Sequence, residues 1–239
     1  MRNKCSRLDN TMRSLFEFIL KKIKGGNASL DKNIPIGSLI RFFMGKAMCM
    51  VYGMLRLMTM KRVFIHPTAT IRCSSKINHG KNLNIERGCF IDALSKDGLV
   101  LGDNVSFGYN TCLRISGAMS KIGNGIKIGN NVGLGSHGFY GCGVGSLTIG
   151  DDCIFGNYVS IHPENHNYRD LNTPIRLQGV CSMGGVFIGN NCWVGAKATI
   201  LDGTKIGNGC IVAAGAVVKG EFPDNVIIGG IPAKIIKHR

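Results

Sequence analysis

Ile188, Val194, Ile200, Ile206, Val212 and Val218 recur at every sixth position without a slip. Gly189, Gly195 and Gly207 follow three of these aliphatics, and Ala213 fills the same slot after Val212. A period of six fits neither the 3.6-residue repeat of a helix nor the simple alternation of a strand. It is the signature of a short-rung β-solenoid, in which three hexads make one triangular coil. One coil cannot bury its own apolar face, so stability comes from stacking neighbours into an internal aliphatic column.

Upstream the register begins roughly with Ile65, Ile71, Ile77 and Leu83. It continues through Leu101, Phe107, Leu113, Ile128, Leu134, Ile149, Phe155 and Ile161. Residues 92–97 bulge from a corner, and three longer excursions break the period at 116–125, 137–146 and 162–185. Excursions from a solenoid sit at corners, where they can be aimed at a ligand without disturbing the core. The longest, 162–185, is the one expected to carry function.

Residues 1–62 follow another rhythm. A helix is predicted over residues 11–24, with Met12, Leu15, Phe16, Ile19 and Ile23 on one face, and Gly25-Gly26-Asn27 ending it. A second is predicted over 38–60. Its polar arc gathers Arg41, Gly45, Lys46, Cys49, Tyr52, Gly53 and Arg56. The opposite arc holds Leu39, Ile40, Phe43, Met44, Ala47, Met50, Val51, Met54, Leu55, Leu57 and Met58. So broad an apolar face must be buried. Arg41, Lys46 and Arg56 interrupt the run of ~20 apolar residues that a membrane span requires. Two readings stand: the helices cap the solenoid or a subunit interface, or the Met- and Phe-rich face lies in the interfacial layer of a membrane.

Charge sharpens that contrast. The chain carries a net +15, and residues 1–62 hold 13 Lys and Arg against Asp9, Glu17 and Asp31, a net of +10. Nucleic-acid binding is not indicated, because the cations are not interleaved with stacking aromatics. Thirty-four glycines, against about 17 at usual frequencies, belong to tight corners, since no collagen period is present. Of ten cysteines, Cys153, Cys192 and Cys210 occupy one hexad slot, three after Gly150, Gly189 and Gly207. There a thiol serves as a compact hydrophobe. With no secretory leader recognised, the cysteines read as reduced thiols of a cytoplasmic protein.

The sixfold register, together with Gly229-Gly230-Ile231-Pro232-Ala233-Lys234, resembles the hexapeptide-repeat acyltransferases, which fold as left-handed parallel β-helices. More narrowly it is similar to the branch that moves acetyl from acetyl-CoA to sugar hydroxyls, including galactoside, maltose and virginiamycin acetyltransferases and surface-polysaccharide O-acetyltransferases. The resemblance covers residues 63–239 and leaves 1–62 as a separate basic helical segment. It implies a mainly β fold, a homotrimer with active sites at subunit interfaces, acetyl-CoA as co-substrate, a carbohydrate acceptor and no metal. The implied setting is the cytoplasm, with peripheral membrane contact through residues 10–60 if the second reading of the helices holds.

Within the resemblance, His166-Asn167-Tyr168 ahead of Thr173-Pro174-Ile175 matches the active-site loop, where the histidine is the general base. The chemistry suits it. A thioester is already activated, and what is lacking is nucleophilicity in the acceptor hydroxyl. A neutral imidazole can take that proton and later deliver it to the departing thiolate, with a pKa near neutrality suited to both halves. His162 is the alternative base. Glu164 or Asp170 is a candidate to orient the ring, unless a backbone carbonyl does so. Tyr168 and Arg169 border the acceptor pocket or are plain loop. Trp193, the only tryptophan, matches a family position near the histidine of a neighbouring subunit. For the CoA slot the matching positions are Ala196, Ala214, Lys219, Lys234 and Lys237, with Gly215 beside Ala214 permitting close approach. The lysines would meet phosphates as point charges. Here Lys219-Gly220 stands where the family commonly has Thr-Lys, which displaces that basic contact.

Three rival readings remain. An N-acetyltransferase of an amino-sugar nucleotide differs only in acceptor. A zinc hydratase of the γ-carbonic anhydrase type would need three histidines, for which His137, His162 and His166 are the candidates. A non-enzymatic solenoid would leave the loop histidine without a role.

Overall fold

The computed structural model describes the backbone of residues 2–24, 29–117 and 121–239, and side chains of all these but 2–10, 23 and 24. From residue 63 onward the chain winds as the left-handed parallel β-helix expected from its period. Every third strand falls in the same sheet, giving one nine-stranded and two seven-stranded faces. The first face runs from Val63–Ile65 to Val226–Gly230, on which Ala233–His238 folds back antiparallel. The second runs from Thr70–Arg72 to Val217–Val218, and the third from Ile77–His79 to Glu221–Phe222.

The hexad aliphatics become three internal columns. Phe107, Leu134, Phe155, Val194 and Val212 stack on the first face, Leu113, Ile161, Ile200 and Val218 on the second, and Leu101, Ile128, Ile149, Ile188 and Ile206 on the third. The corners turn in the left-handed region at Asn104, Asn131, Asp152 and Asn191, where Asn and Asp are tolerated best among side chains. Their amides also form a ladder, Asn104 to Asn131 at 2.7 Å and Asn131 to Asp152 at 2.8 Å. The thiols of Cys153, Cys192 and Cys210 donate to the carbonyls of Gly189, Gly207 and Pro223 one coil on, at 3.1–3.2 Å. That slot therefore satisfies a corner carbonyl as well as filling space.

One predicted excursion is not one. Residues 137–146 include the strand Phe139–Gly141, paired on both sides within the second face. The inward position is Tyr140, fully buried where the other coils carry an aliphatic. Gly138 makes room for it, since a Cβ there would stand 2.6 Å from the Tyr140 ring. An aromatic in the column hides the period from a search for aliphatics.

The N-terminal segment forms α1, Arg2–Lys24, and α2, Ile36–Arg56. The predicted stop at 25–27 lies outside the described residues. Phe16 of α1 is buried and stacks on Phe43 of α2, with ring centroids 4.4 Å apart. The facing of α2 differs from a cap that buries the apolar arc. The stripe against the solenoid includes Lys46, Cys49, Gly53 and Arg56 from the polar arc. Lys46 pairs with Glu86 at 2.8 Å, and Arg56 donates to the Ile71 carbonyl at 2.5 Å. At Gly53 a Cβ would meet the Val63 carbonyl oxygen at 2.8 Å, so close approach requires the glycine. Leu39, Met54 and Leu57 of the apolar arc turn inward, while Met44, Val51 and Leu55 face solvent. Nor do the cations disqualify α2 by composition. It contains 18 residues of mean hydropathy 1.2, long and apolar enough to cross a membrane, because a stretch ending before Arg56 contains only Arg41 and Lys46.

Candidate active site

The chain leaves the second face after the strand Ser160–His162 and rejoins the third at Val186–Ile188. Between them Asn165–His166 pairs antiparallel with Val180–Cys181, so the excursion is a hairpin projecting from the edge between those faces. Its tip is closed by Gln178, whose amide donates to the carbonyls of Asp170 at 2.7 Å and Thr173 at 2.6 Å. The Asp170 carboxylate accepts from the Asn172 N–H at 2.9 Å. The Thr173 hydroxyl and that N–H hold it below the usual carboxylate range.

The base of the hairpin is held by a residue that sequence reasoning missed. Asp202, 1% exposed, accepts from the Asn165 side-chain amide (2.8 Å), the Ser182 hydroxyl (2.8 Å) and the N–H groups of Met183 (2.6 Å) and Gly185 (3.0 Å). One carboxylate thus ties both legs of the loop to the coil beneath, and four donors satisfy the buried charge. The available signal was an acid at a corner of otherwise apolar and glycine-rich hexads. His166, next to Asn165, stands exposed on the hairpin. Among the described residues no side chain bonds its ring within one protomer.

The other loop candidates have partners elsewhere. Glu164 accepts from the Val144 N–H at 2.9 Å. His162 shares a 2.6 Å hydrogen bond with Ser160 and stacks on Phe139 at 5.2 Å. This partial burial pushes its pKa down, although an edge of the ring stays open to solvent. Arg114, Phe139, His162 and Glu164 line a shallow cleft of about 150 Å³. Tyr168 is 66% exposed, and Arg169 beside it is exposed too. His137 sits at a corner between the first and second faces, away from the hairpin edge. Among the described residues no three His, Cys, Asp or Glu side chains converge as a metal site would need.

That corner, between the first and second faces, carries the small residues of the expected CoA slot. Ala196 and Ala214 succeed one another there, and the Gly215 N–H donates to the Ala196 carbonyl at 2.9 Å. Gly215 has φ +70°, and a Cβ on it would meet nothing within 4 Å, so the edge is open. Lys219 lies at a different edge, beneath the hairpin, and Lys234 and Lys237 lie on the antiparallel C-terminal strand of the first face. Trp193 points outward from the first face at 51% exposure, with Ile154 and Ile211 as its lateral neighbours.

Above Ala196 the same edge carries a second unanticipated feature. The Arg87 guanidinium lies 5.5 Å from the Tyr109 ring, Tyr109 meets His137 edge-on at 5.1 Å, and His137 stacks on Tyr158 at 4.9 Å. His137 and Tyr158 have φ of +58° and +62°, where the chain elsewhere on this edge uses Gly88, Asn110, Lys197 and Gly215. Bulky side chains are disfavoured there, and Tyr158 is nonetheless 52% exposed. Backbone strain at an exposed aromatic points towards function.

Comparisons with known proteins agree with this architecture. Residues 185–220 match the family model described as bacterial transferase hexapeptide (six repeats). WbbJ of Escherichia coli (strain K12), named for lipopolysaccharide biosynthesis O-acetyl transfer, is 30% identical over 173 residues, which is 70% of this chain and 74% of WbbJ. Galactoside O-acetyltransferase of the same strain is 30% identical over 97 residues, and the match spans 44% of that protein. Among solved structures, the N-acyltransferase AntD from Bacillus cereus, in complex with dTDP and 3-hydroxybutyryl-CoA, gives a TM-score of 0.52 at 20% identity, covering 75% of this chain and 81% of AntD. This last likeness speaks to the fold. With the coil register, the corner chemistry and a relative matched over most of its length, the chain belongs to the hexapeptide-repeat acyltransferase family and is an acetyltransferase.

Proposed function

We propose that this protein transfers acetyl from acetyl-CoA to a sugar hydroxyl, with His166 as general base, in a homotrimer whose active sites lie between protomers. The observation that carries this reading is the placement of His166. It stands on a hairpin clamped at its base and, among the described residues, unpartnered at its ring, on a different edge from the open corner of Ala196, Ala214 and Gly215. Only a neighbouring copy would join the two halves. The outward row of Ile154, Trp193, Ile211 and Ile227 on the first face supplies an apolar surface for that neighbour.

In such a site the imidazole takes the hydroxyl proton as the sugar oxygen attacks the thioester carbonyl. The ester forms, the carbon–sulfur bond breaks, and the proton passes from the imidazolium to the CoA thiolate. A backbone N–H would serve the oxyanion. The open corner suits the pantetheine arm, with Lys219, Lys234 and Lys237 as candidates for its phosphates. The strained aromatic ladder on the same edge suits a carbohydrate, whose C–H faces pack on aromatic rings. The match to WbbJ over 74% of its length favours an O-linked acetyl on a bacterial surface glycan, made in the cytoplasm where acetyl-CoA is available.

The test is His166→Ala, assayed by thiol release from acetyl-CoA against a panel of sugars, nucleotide sugars and oligosaccharides. Removing a general base costs about 10²–10⁴-fold, so turnover should fall by at least about a hundredfold with CoA binding retained. Near-normal turnover overturns the assignment. Loss of the product acetyl in mild alkali identifies an ester, and survival identifies an amide.

A further inference from the structure

We propose that α2, with the adjoining face of α1, seats the protein on an anionic lipid bilayer, lying along its surface. This rests on the way α2 is turned and stands apart from the acyl-transfer reading. The helix spends its cations on the solenoid. Lys46 is held by Glu86 and by Asn84, each at 2.8 Å, and Arg56 by the Ile71 carbonyl. With that side occupied, Met44 (67%), Met48 (53%), Val51 (57%) and Leu55 (74%) are left facing outward, and Leu15 and Phe18 of α1 are likewise exposed. A soluble helix normally hides such residues and shows its charges. Here two of the three cations of α2, Lys46 and Arg56, point inward.

The chemistry of the occupant follows from what surrounds this face. Residues 1–62 carry a net +10, with Lys21, Lys22 and Arg41 exposed. An isologous contact with a second copy would bring two such segments together and be opposed by repulsion. A bilayer with anionic headgroups accepts both the apolar face and the cations around it. The same contacts decide against a span. Lys46, Cys49, Gly53 and Arg56 lie against the solenoid, so α2 cannot be wrapped by lipid while it remains docked. Its apolar length is therefore available for lying flat.

The experiment is co-sedimentation of the full chain with phosphatidylcholine vesicles, with and without phosphatidylglycerol, alongside the variant Met44→Glu/Leu55→Glu. Both substituted side chains are exposed, so the fold should persist, checked by circular dichroism. The expected result is binding to anionic vesicles that weakens with salt and falls at least roughly tenfold in the double variant. Assembly mass and detergent-free acetyl-CoA turnover should be unchanged. Equal binding to neutral and anionic vesicles, no binding to either, or undiminished binding by the variant overturns the proposal. So does loss of assembly mass in the variant, which would show another copy covering this face. Turnover is measured separately, so failure here leaves the catalytic reading to its own test.

Discussion

Asp202 Oδ2 accepts a 2.8 Å hydrogen bond from the side-chain amide of Asn165, the residue immediately before His166. With Ser182, Met183 and Gly185 on the return leg, that carboxylate fixes where the hairpin leaves the solenoid, and so where an imidazole at its edge can stand. Asp202→Ala leaves four donors without their acceptor. Hydrogen bonds to charged groups contribute about 1.5–3 kcal/mol each, so a stability loss of about 3 kcal/mol is expected, a low figure because water enters the gap. Catalysis should suffer more than binding. A misplacement of about 1 Å can cost 10²-fold, which should appear in kcat while the acetyl-CoA Kd stays within about twofold. Because Asp202 acts by position, the pH at which the rate rises should not move. A folded Asp202→Ala enzyme with full kcat, or with a displaced pH profile, would show that the clamp plays no such part.

Tyr140 presents the opposite case, a buried polar atom with no partner. Its hydroxyl lies inside the second column without a hydrogen bond, and burial pushes its pKa far above the usual phenol value. Leaving such a group unsatisfied costs about 1–3 kcal/mol. Tyr140→Phe keeps the ring and its edge-on contact with Phe155 at 5.9 Å. It should therefore raise stability by about 1 kcal/mol, read from the urea midpoint at unchanged slope. A midpoint that falls instead would mean that the hydroxyl has a partner in solution.

These two residues show what the sequence could and could not disclose. The sixfold register between Ile188 and Val218 made the solenoid legible, because each aliphatic reports one inward slot and no other fold repeats in that way. The 162–185 excursion was legible as a broken period. Tyr140 was not, since an aromatic in an aliphatic slot looks like an interruption until the neighbouring glycine is seen to make room for it. Asp202 was passed over because acids at β-helix corners are ordinarily solvated, and only the return of the loop buries this one. Tyr109, His137 and Tyr158 are separated by irregular intervals in the chain and become neighbours only when coils of unequal length are stacked. The facing of α2 was not legible for an energetic reason: the pattern shows an apolar and a polar arc, but only the fold brings Glu86, Asn84 and the Ile71 carbonyl to Lys46 and Arg56.

The ladder yields a prediction about the acceptor. Tyr158 adopts φ +62°, a conformation that Asn accepts more readily than an aromatic. Tyr158→Asn should therefore fold at least as stably while removing the exposed ring. If the acceptor lies along this edge, its KM should rise roughly tenfold, equivalent to about 1.4 kcal/mol, with the KM for acetyl-CoA unchanged. Initial rates at varied concentrations of each substrate separate the two. An unchanged acceptor KM would assign the stacked rings to packing alone.

The tie between α2 and the solenoid should weaken in acid. Burial would raise the Glu86 pKa, but hydrogen bonds from Lys46 and Asn84, and the charges of Lys46 and His66, outweigh it and hold the carboxyl below its ordinary value of 4.5. A carboxyl with a lower pKa folded than unfolded binds fewer protons when folded. Its contribution is thus complete above the unfolded value and is lost as pH falls through the folded one. The Lys46 and Glu86 side chains are 28% and 38% exposed, so solvent screening limits the pair to less than about 1 kcal/mol. Hydrogen exchange in α2 should accordingly rise relative to the solenoid strands as pH is lowered below 4.5, after correction for the intrinsic rate. Glu86→Gln should already show the raised exchange at neutral pH and should flatten the acid response. If that variant instead retains both the protection and the acid response of the parent chain, the contact between Lys46 and Glu86 does not hold the helix down.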